Sequence, residues 1–432
     1  PWAAPCLGCA REEGGLTRCG DVSGALLEAG TFAGLIAGQL MGLTSTQVGS
    51  LSTSVIASLN TTQLSGLDTT QISGLTATQA KALTTTEIAQ LASPQLGALS
   101  TTAFAGLSAT QIGAITAAQF ADFTSTALAS MTATQIKGIS TTNLVALTTA
   151  QLAGLSSTQV AALTATQLGV VSSTNIGALT ADQFAGLTTT AIGSLTTLQV
   201  QGITTTQLSG MTTTQVGGFK STEIAVLAQT QLDALAATQV AAISTGALAG
   251  LTSTALGALS SAQFAGLTST QMKSLSTTQI LGLTAAEIAA LTTTQLAGLS
   301  ASQITAMAGT QIANFTSEEI AALTTTQVKG LEAADITALT NAQLNALTTG
   351  HLAAFTATQV GGLTSTEIGA LTTTQIPGMT ATQIKLLSSA QVAGFEVADI
   401  AVMTSTQGKA FTTTQIAALS SDQKSALQTV IG

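Results

Sequence analysis

The chain carries one pattern of apolar and polar positions that recurs every eight residues. Residues 291–298 read Leu-Thr-Thr-Thr-Gln-Leu-Ala-Gly, and 48 such octads follow one another without insertion or deletion, with first residues from Leu43 to Leu419. Positions one and six are apolar, position two is nearly always Thr or Ser, and position eight is small. A fixed period of this kind indicates a tandem array whose neighbouring repeats share one continuous core.

The spacing within the octad favours a short helix. Positions one and six lie five residues apart, so a straight strand would point them to opposite faces. A helix that starts after position two brings position six and the next position one onto one face. Thr or Ser at position two with Gln three residues later is a capping box. Position four, in the first turn, holds Pro94, Asp182, Glu318 and Asp422, residue types that helix starts accept.

The pattern therefore predicts an all-α protein, a thin α-solenoid with one helix of about six residues in each octad. Pro377, at position seven, fits less well because proline removes a helical hydrogen bond. A β-solenoid is the alternative. Thr-x-Thr spacing, as at Thr44 and Thr46, is typical of strands that stack into flat threonine ladders.

Position eight suggests that the coil is longer than one octad. Alternate octads end in glycine, whereas the others end mostly in Ala or Ser, with Gly66 and Gly210 as exceptions. The glycines of the first class are Gly42, Gly74, Gly106, Gly138, Gly154, Gly186, Gly202, Gly218, Gly250, Gly266, Gly282, Gly298, Gly330, Gly362, Gly378 and Gly394. We therefore expect a 16-residue coil made of two octapeptide helices, one ending in alanine and one in glycine.

Composition excludes several classes of protein. Only 7% of residues are charged, and a net charge of −9 with ten scattered Lys and Arg residues argues against nucleic-acid binding. The mean hydropathy is positive, +0.49, yet the hydroxyl and Gln positions interrupt every apolar run before the ~20 residues of a membrane span. The single histidine, His351, has no Ser and Asp constellation around it in the sequence. We therefore expect no enzyme and no cofactor.

The first residues differ in kind from the array, so we divide the chain into an N-terminal segment, 1–24, and a solenoid, 25–432. The segment holds all three cysteines, Cys6, Cys9 and Cys19. One internal disulfide plus one thiol free for another chain is the favoured interpretation, with an inert reduced tail or a metal or redox site as alternatives. A start at Pro1 and a surface made soluble by hydroxyls fit a processed, secreted protein, although a chain trimmed from a longer one would start in the same way.

Two octads carry a resemblance to known proteins. Residues 323–330 (LTTTQVKG) and 411–418 (FTTTQIAA) resemble the tandem Leu-Thr-x-x-Gln-Ile-x-x repeats of large bacterial surface and secreted proteins. That resemblance implies a location at the cell surface or outside the cell. The octads are also similar to the opening of a TAL-effector repeat. That family needs a second helix, a base-reading loop and basic character, so DNA binding is not carried over.

The two ends of the array are the candidate contact surfaces. The C-terminal residues Leu427, Val430 and Ile431 and the stretch from Leu26 to Leu40, which includes Leu35, are apolar, whereas a solenoid usually ends in a polar cap. Uncapped ends predict head-to-tail contacts between copies, and a contact of that type builds an open filament. Disulfides formed by Cys6, Cys9 and Cys19 would link two copies covalently at this end-to-end contact. A fragment of a longer protein would leave the same ends.

Four ionisable residues at position five form the remaining candidate site. Glu319, Asp335, His351 and Glu367 recur at every second octad. On a coil of two octads they would form a polar column, either a stripe that binds cations or a contact for another subunit. The alternative, which we favour, is that each acid simply caps its own helix.

The sequence thus predicts a structural subunit of an extracellular bacterial filament that polymerises with itself. The alternative is a surface adhesin stalk, or a repeat protein that binds ice or polysaccharide through its threonines.

Overall fold

A computed structural model describes residues 11–12, 15–16 and 40–432 of the chain. Near the N-terminus the two-residue strands Arg11–Glu12 and Gly15–Leu16 pair antiparallel, with Arg11 opposite Leu16. From residue 40 onward the described structure is helical and contains no strand. The predicted all-α solenoid of short helices is confirmed, and within this range the β-solenoid alternative is wrong. The predicted boundary after residue 24 lies outside the described residues.

The chain forms two compact units, residues 1–218 and 219–432, and consecutive octad helices build each of them. The helices of the first unit are Ser45–Ser50, Thr53–Ser58, Thr61–Ser65, Thr69–Ser73, Ala77–Ala82, Thr85–Gln90, Ser93–Gly97, Thr101–Gly106, Ala109–Gly113, Ala117–Ala121, Ser125–Ala129, Ala133–Gly138, Thr141–Val145, Thr149–Ala153, Ser157–Ala161, Ala165–Gly169, Ser173–Ala178, Ala181–Ala185, Thr189–Ile192, Thr197–Gln201, Thr205–Ser209 and Thr213–Val216. Those of the second unit are Ser221–Ile224, Gln229–Asp233, Ala237–Ala242, Thr245–Leu248, Ser253–Gly257, Ser261–Ala265, Ser269–Ser274, Thr277–Leu281, Ala285–Ala289, Thr293–Gly298, Ala301–Ala306, Gly309–Ile312, Ser317–Ala322, Thr325–Val328, Ala333–Thr337, Asn341–Ala346, Thr349–Ala354, Ala357–Gly362, Ser365–Ala370, the 3₁₀ helix Ile376–Gly378, Ala381–Leu386, Ser389–Val392, Val397–Ala401, Ser405–Gly408, Thr413–Ala418 and Ser421–Ile431.

The α-helices start at position three of their octads, as the pattern predicts, and all except Ser421–Ile431 end within the same octad. In residues 131–138, Thr132 is extended, with φ −74° and ψ 158°, and its hydroxyl accepts the backbone N–H of Gln135. The Gln135 side chain in turn accepts the backbone N–H of Thr132, which completes the capping box. After the helix Ala133–Gly138, Ile139 is again extended and turns the chain. An octad is therefore one short helix followed by an extended corner at positions one and two.

Pro377 leaves a local mark on this pattern. It lies in the 3₁₀ helix Ile376–Gly378, which stands where the other octads of the second unit form an α-helix. Proline has no N–H to donate to the preceding turn, so the octad closes with a tighter and shorter element. The apolar position still holds, because Ile376 is fully buried.

The coil contains three octad helices, so the predicted coil of two helices is wrong. In the first unit the helix Ala77–Ala82 packs against Thr101–Gly106, and in the second unit Ser269–Ser274 packs against Thr293–Gly298. In both pairs the partner is the third helix along the chain, three octads later. Each corner is a single bend of two extended residues, and three of these bends bring the chain back over itself.

The alternating glycines mark close contacts between coils and do not set the coil length. A side chain on Gly106 would overlap the backbone of Ala77, and one on Gly298 would overlap the backbone of Ser269, each in the octad three places earlier. Gly210 belongs to the other class, and a Cβ there would meet only Thr206 and Gln207 of its own octad. Because a coil has three octads and the octads alternate between two classes, the pattern repeats fully only after two coils, which is six octads.

The core of each unit is a stack of apolar residues from positions one and six. Ile136 and Ile139 are typical, with 0% and 4% of their surface exposed. Threonines at positions three and four, such as Thr134, face the solvent. In the part of the chain that the structure describes, no helix has both the length and the apolar character that crossing a membrane requires.

The glycine contacts predict a difference between two glycine-to-alanine substitutions in the first unit. Gly106→Ala should destabilise the chain by about 1–3 kcal/mol, because the new methyl group overlaps the backbone of Ala77. Gly97→Ala should be neutral or stabilise by about 0.5–1 kcal/mol, since a Cβ there meets no atom within 4 Å and alanine favours a helix. Urea unfolding followed by circular dichroism measures both, and equal shifts for the two variants would contradict the contact.

Candidate functional site at the glutamine joints

The most regular polar feature of the fold is a buried glutamine at position five. In the octad 131–138 the Oε1 atom of Gln135 accepts the backbone N–H of Thr132 at 2.8 Å and the Thr132 hydroxyl at 3.1 Å. Gln135 is only 1% exposed, so its amide cannot turn to water. Its carbonyl half is therefore used entirely to start its own helix.

The other half of the same side chain reaches a previous coil. The Nε2 atom of Gln135 donates to the carbonyl oxygen of Phe104 at 2.7 Å and to that of Leu107 at 3.0 Å. Phe104 lies near the end of the helix Thr101–Gly106, and its carbonyl oxygen also accepts the N–H of the C-cap residue Leu107 at 3.1 Å, so the glutamine supplies a second donor. One glutamine thus joins the start of its helix to the end of a helix four octads earlier. We call this arrangement the glutamine joint.

The joint recurs with the same geometry in both units. In the first unit Gln79 donates to Val48 at 2.9 Å and to Leu51 at 2.7 Å. In the second unit Gln295 donates to Phe264 at 2.8 Å and to Leu267 at 3.0 Å. These acceptors lie 31 and 28 residues before the glutamine, at position six of the octad four places earlier and at position one of the octad three places earlier. Both flank one corner of the previous coil, as expected for a coil of three octads.

Other residues at position five make part of the joint. Asn143 and Asn175 have a side chain one methylene shorter, and each donates to the carbonyl 28 residues earlier, at 2.9 and 2.8 Å. Alanine occupies the position in several octads, and its side chain offers no polar group at all. The alanines are Ala103, Ala127, Ala191, Ala247 and Ala255.

His351 reproduces both halves of a glutamine. Its Nδ1 accepts the backbone N–H of Thr348 at 3.2 Å, and its Nε2 lies 2.7 Å from the carbonyl oxygen of Leu323. Because a carbonyl only accepts, Nε2 must carry the hydrogen and the ring must be neutral. Burial lowers the pKa of His351, against the hydrogen bond to Leu323, which raises it. A second proton on Nδ1 would face the Thr348 N–H and break the cap.

Acidic residues at position five reproduce only the accepting half. In Glu287 the Oε2 atom accepts the backbone N–H and the hydroxyl of Thr284, at 2.7 and 2.9 Å. The second oxygen, Oε1, is buried without a hydrogen-bond partner, and the same is true of Glu319. Burial raises the pKa of Glu287, although its bonds to Thr284 lower it in part. Burial also raises the pKa of Glu223, although the backbone N–H and the positive charge of Lys220 lower it in part.

The predicted polar column does not form, because a coil has three octads and not two. Residues two octads apart lie on different sides of the coil, so Glu319, Asp335 and His351 occupy three different sides. Glu367 returns to the side of Glu319, but two coils away. Each of the four accepts the N–H of its own N-cap residue, as the capping interpretation proposes. Within the described residues no group of three or more His, Cys, Asp or Glu side chains could hold a metal ion.

The predicted subunit-interface residues are only partly described. Cys6, Cys9, Cys19, Leu26 and Leu35 lie outside the described residues. Leu40 is 1% exposed, and its carbonyl oxygen accepts the Nε2 of Gln71 at 2.7 Å. This residue is therefore buried inside its own chain.

The C-terminal apolar residues also pack within the chain, which corrects the expectation of a bare apolar end. Gly408 occupies position six, where other octads carry a large apolar side chain. A Cβ on Gly408 would lie 2.8 Å from Cγ2 of Ile431, 3.0 Å from Cγ1 of Val430 and 3.4 Å from Cδ1 of Leu427. The helix Ser421–Ile431 fills the space that the missing side chain leaves. Leu427 is buried there, and Val430 and Ile431 are half-buried.

The second unit has an open surface groove with hydroxyl walls. Among its lining residues Lys273 is the single charged side chain, and none is aromatic. The groove is lined by Ser269, Thr270, Lys273, Thr293, Thr294, Ala297, Gly298, Leu299, Ser300, Ala301, Thr324, Thr326 and Gln327. A groove of this kind offers hydrogen bonds but no general base of the usual types, His, Asp or Glu.

Comparison with known protein families finds the repeat in several parts of the chain. The family model called ALTTAQ repeat matches residues 88–125, 138–173, 240–277, 328–365, 336–373 and 392–429. Two of these matches overlap with a shift of one octad, as expected for a tandem array. Residues 146–151 read Ala-Leu-Thr-Thr-Ala-Gln, from position eight of one octad to the joint position of the next. The chain is therefore a tandem-repeat protein. No curated protein matches it.

The glutamine joint predicts a local loss of stability when its amide is removed. Gln135→Ala should cost about 1–3 kcal/mol, because the carbonyls of Phe104 and Leu107 lose a buried donor. Hydrogen exchange should rise both in the helix Ala133–Gly138 and around residues 104–107. The matched control is Thr134→Ala, an exposed neighbour, with an expected change within about 0.5 kcal/mol. Exchange that rises only near residue 135 would contradict the link between coils.

The histidine joint predicts a loss of stability at acid pH. Since the pKa of His351 is lower in the fold than in the unfolded chain, the unfolded state takes up the proton first. The stability from this joint is therefore complete above about pH 6.5, the ordinary value for histidine, and falls as the pH drops toward the folded pKa. His351→Gln should abolish this part of the pH profile. Measurement of the unfolding midpoint against pH tests this, and identical profiles for the two proteins would refute it.

Proposed function

We propose that this chain is a structural repeat protein that acts outside a bacterial cell, as a subunit of an extracellular filament. The observation that carries the proposal is the constancy of the glutamine joint. Gln79 and Gln295 link their octads to the same two backbone positions of earlier octads, at distances that hardly vary. Added octads extend the same core and bring no new chemistry, so the product of this sequence is a uniform scaffold.

The surface chemistry supports a place outside the cell. Solubility rests on neutral hydroxyls such as Thr134, and only 7% of all residues are charged. The octads resemble repeats of bacterial surface and secreted proteins, as the sequence of residues 411–418 illustrates. A surface of this type also depends little on salt, because screening acts on charges and these are few.

The joint itself offers a route to assembly between copies. One side of a coil presents glutamine amides, and the other side presents the carbonyls that accept them. The two sides are complementary to each other and different, which makes a contact between copies heterologous. A heterologous contact that does not close into a ring continues as a filament.

A second candidate, a monomeric stalk of a surface protein, is favoured by one observation. Leu427, Val430 and Ile431 already pack against Gly408 of their own chain, so they are less available to another copy. The ice-binding version of the alternative loses its basis. Threonines at position two, such as Thr132, cap helices and do not line a flat strand ladder. A contact with polysaccharide would use the hydroxyl groove around Lys273.

Electron microscopy and sedimentation of the purified full chain distinguish the two candidates. The filament predicts linear polymers of uniform width that lengthen with protein concentration, and a Cys6→Ser, Cys9→Ser, Cys19→Ser variant should form shorter ones. The stalk predicts one sedimenting species at every concentration, with or without reductant. That second result would reject the filament.

A further inference from the structure

The acidic joint at Glu287 lacks a hydrogen atom that the glutamine joints have. In the glutamine joints one side-chain atom accepts at the N-cap and the other donates to two carbonyls. In Glu287 the accepting half is in place, with Oε2 bonded to Thr284. The other oxygen, Oε1, then stands where a glutamine carries Nε2, and it is buried without a partner.

The carbonyls opposite Oε1 follow from the register of the array. In the neighbouring octad Gln279 donates to Leu248 at 3.0 Å and to Leu251 at 2.8 Å, which lie 31 and 28 residues earlier. The equivalent residues for Glu287 are Leu256 and Leu259. An ionised carboxylate would therefore place an acceptor against two further acceptors in a buried site, which is unfavourable.

No charged side chain in the described helices around Glu287 relieves this conflict. Glu287 lies in the helix Ala285–Ala289. Two helices of the adjacent coils carry charge: Ser269–Ser274 has the exposed Lys273, and Ser317–Ala322, four octads later, has Glu318 and Glu319, which bring no positive charge. The other helices next to it along the chain and in the adjacent coils have only neutral side chains. They are Ser253–Gly257, Ser261–Ala265, Thr277–Leu281, Thr293–Gly298 and Gly309–Ile312. Glu223, by contrast, has Lys220 close by. At Glu287 the missing hydrogen-bond donor must therefore come from the solvent.

We propose that the Glu287 joint is a proton-binding site, in which the carboxyl group is neutral and Oε1–H donates to the backbone carbonyls of Leu256 and Leu259. A protonated glutamic acid has one acceptor and one donor, as the glutamine amide does, so the proton completes the joint. The distances of the glutamine joint in the neighbouring octad, 2.8 to 3.0 Å, are those of a hydrogen bond. The second unit thereby responds to acid at a defined place.

The direction of the pH effect follows from linkage. The burial that raises the pKa of Glu287 means that the folded state keeps the proton to a higher pH than the unfolded state. The stability of the joint is complete below about pH 4.3, the ordinary value for glutamate, and is lost as the pH rises through the folded pKa. This is opposite in sign to the effect of His351, so single variants separate the two.

The test compares wild type with Glu287→Gln, which supplies a donor at every pH, and with Gln279→Glu, which places a second acid at the neighbouring joint. Selective ¹³C labelling of glutamate carboxyls identifies Glu287 as the resonance that Glu287→Gln removes. We expect this resonance to titrate at higher pH than exposed glutamates. Hydrogen exchange at residues 256–260, corrected for intrinsic rate, should increase with pH in wild type, stay flat in Glu287→Gln and increase more steeply at residues 248–252 in Gln279→Glu.

Three outcomes would overturn the proposal. One is a Glu287 resonance that titrates together with the exposed glutamates. Another is equal pH dependence of exchange in wild type and Glu287→Gln. The last is protection at neutral pH that appears on addition of sodium, potassium or calcium ions in wild type but not in Glu287→Gln, since that would make the site a cation site.

Discussion

The structure depends on one recurring interaction, in which the side chain at position five of most octads gives a further donor to the carbonyls at the end of a helix in the previous coil. A helix of six residues leaves most of its backbone groups unpaired, and here many of them are buried. Gln135 solves this for two helices at once, because Oε1 caps the start of its own helix while Nε2 reaches Phe104 and Leu107. Packing of apolar positions one and six then stacks coils that are already held in register.

The helices could be predicted from the sequence because their causes are local. Thr132 and Gln135 lie three residues apart, and a capping box needs nothing beyond them. The coil length could not, because it depends on the bend at corners such as Ile139, and no residue pattern records that bend. The alternation of glycine led to a wrong coil length for a physical reason. Gly106 is required where two coils approach closely, and in a three-octad coil each glycine-ending octad packs against an octad of the other class.

The reach of the glutamine into a previous coil has a signal in the sequence that capping alone does not explain. Glutamate completes a capping box as well as glutamine does, yet 32 of the 48 octads have Gln at position five. A preference for the amide indicates that a donor is required in addition to the acceptor. The C-terminal packing rests on a single residue, Gly408, whose effect on Ile431 depends on where a helix two octads later lies.

The same pairing of acceptor and donor explains how an almost uncharged protein accommodates ionisable groups in buried positions. Glu287 and His351 stand at joints, where a neutral acid or a neutral imidazole can imitate an amide. In the first unit Glu87 is the acid at position five among the octads that start from Leu43 onward, whereas the second unit has six acids and one histidine there. The two units are therefore built by the same geometry but differ in what a change of pH does to their joints. Sensitivity to pH in this fold is a property of single positions, and it can be added or removed without any change to the surface.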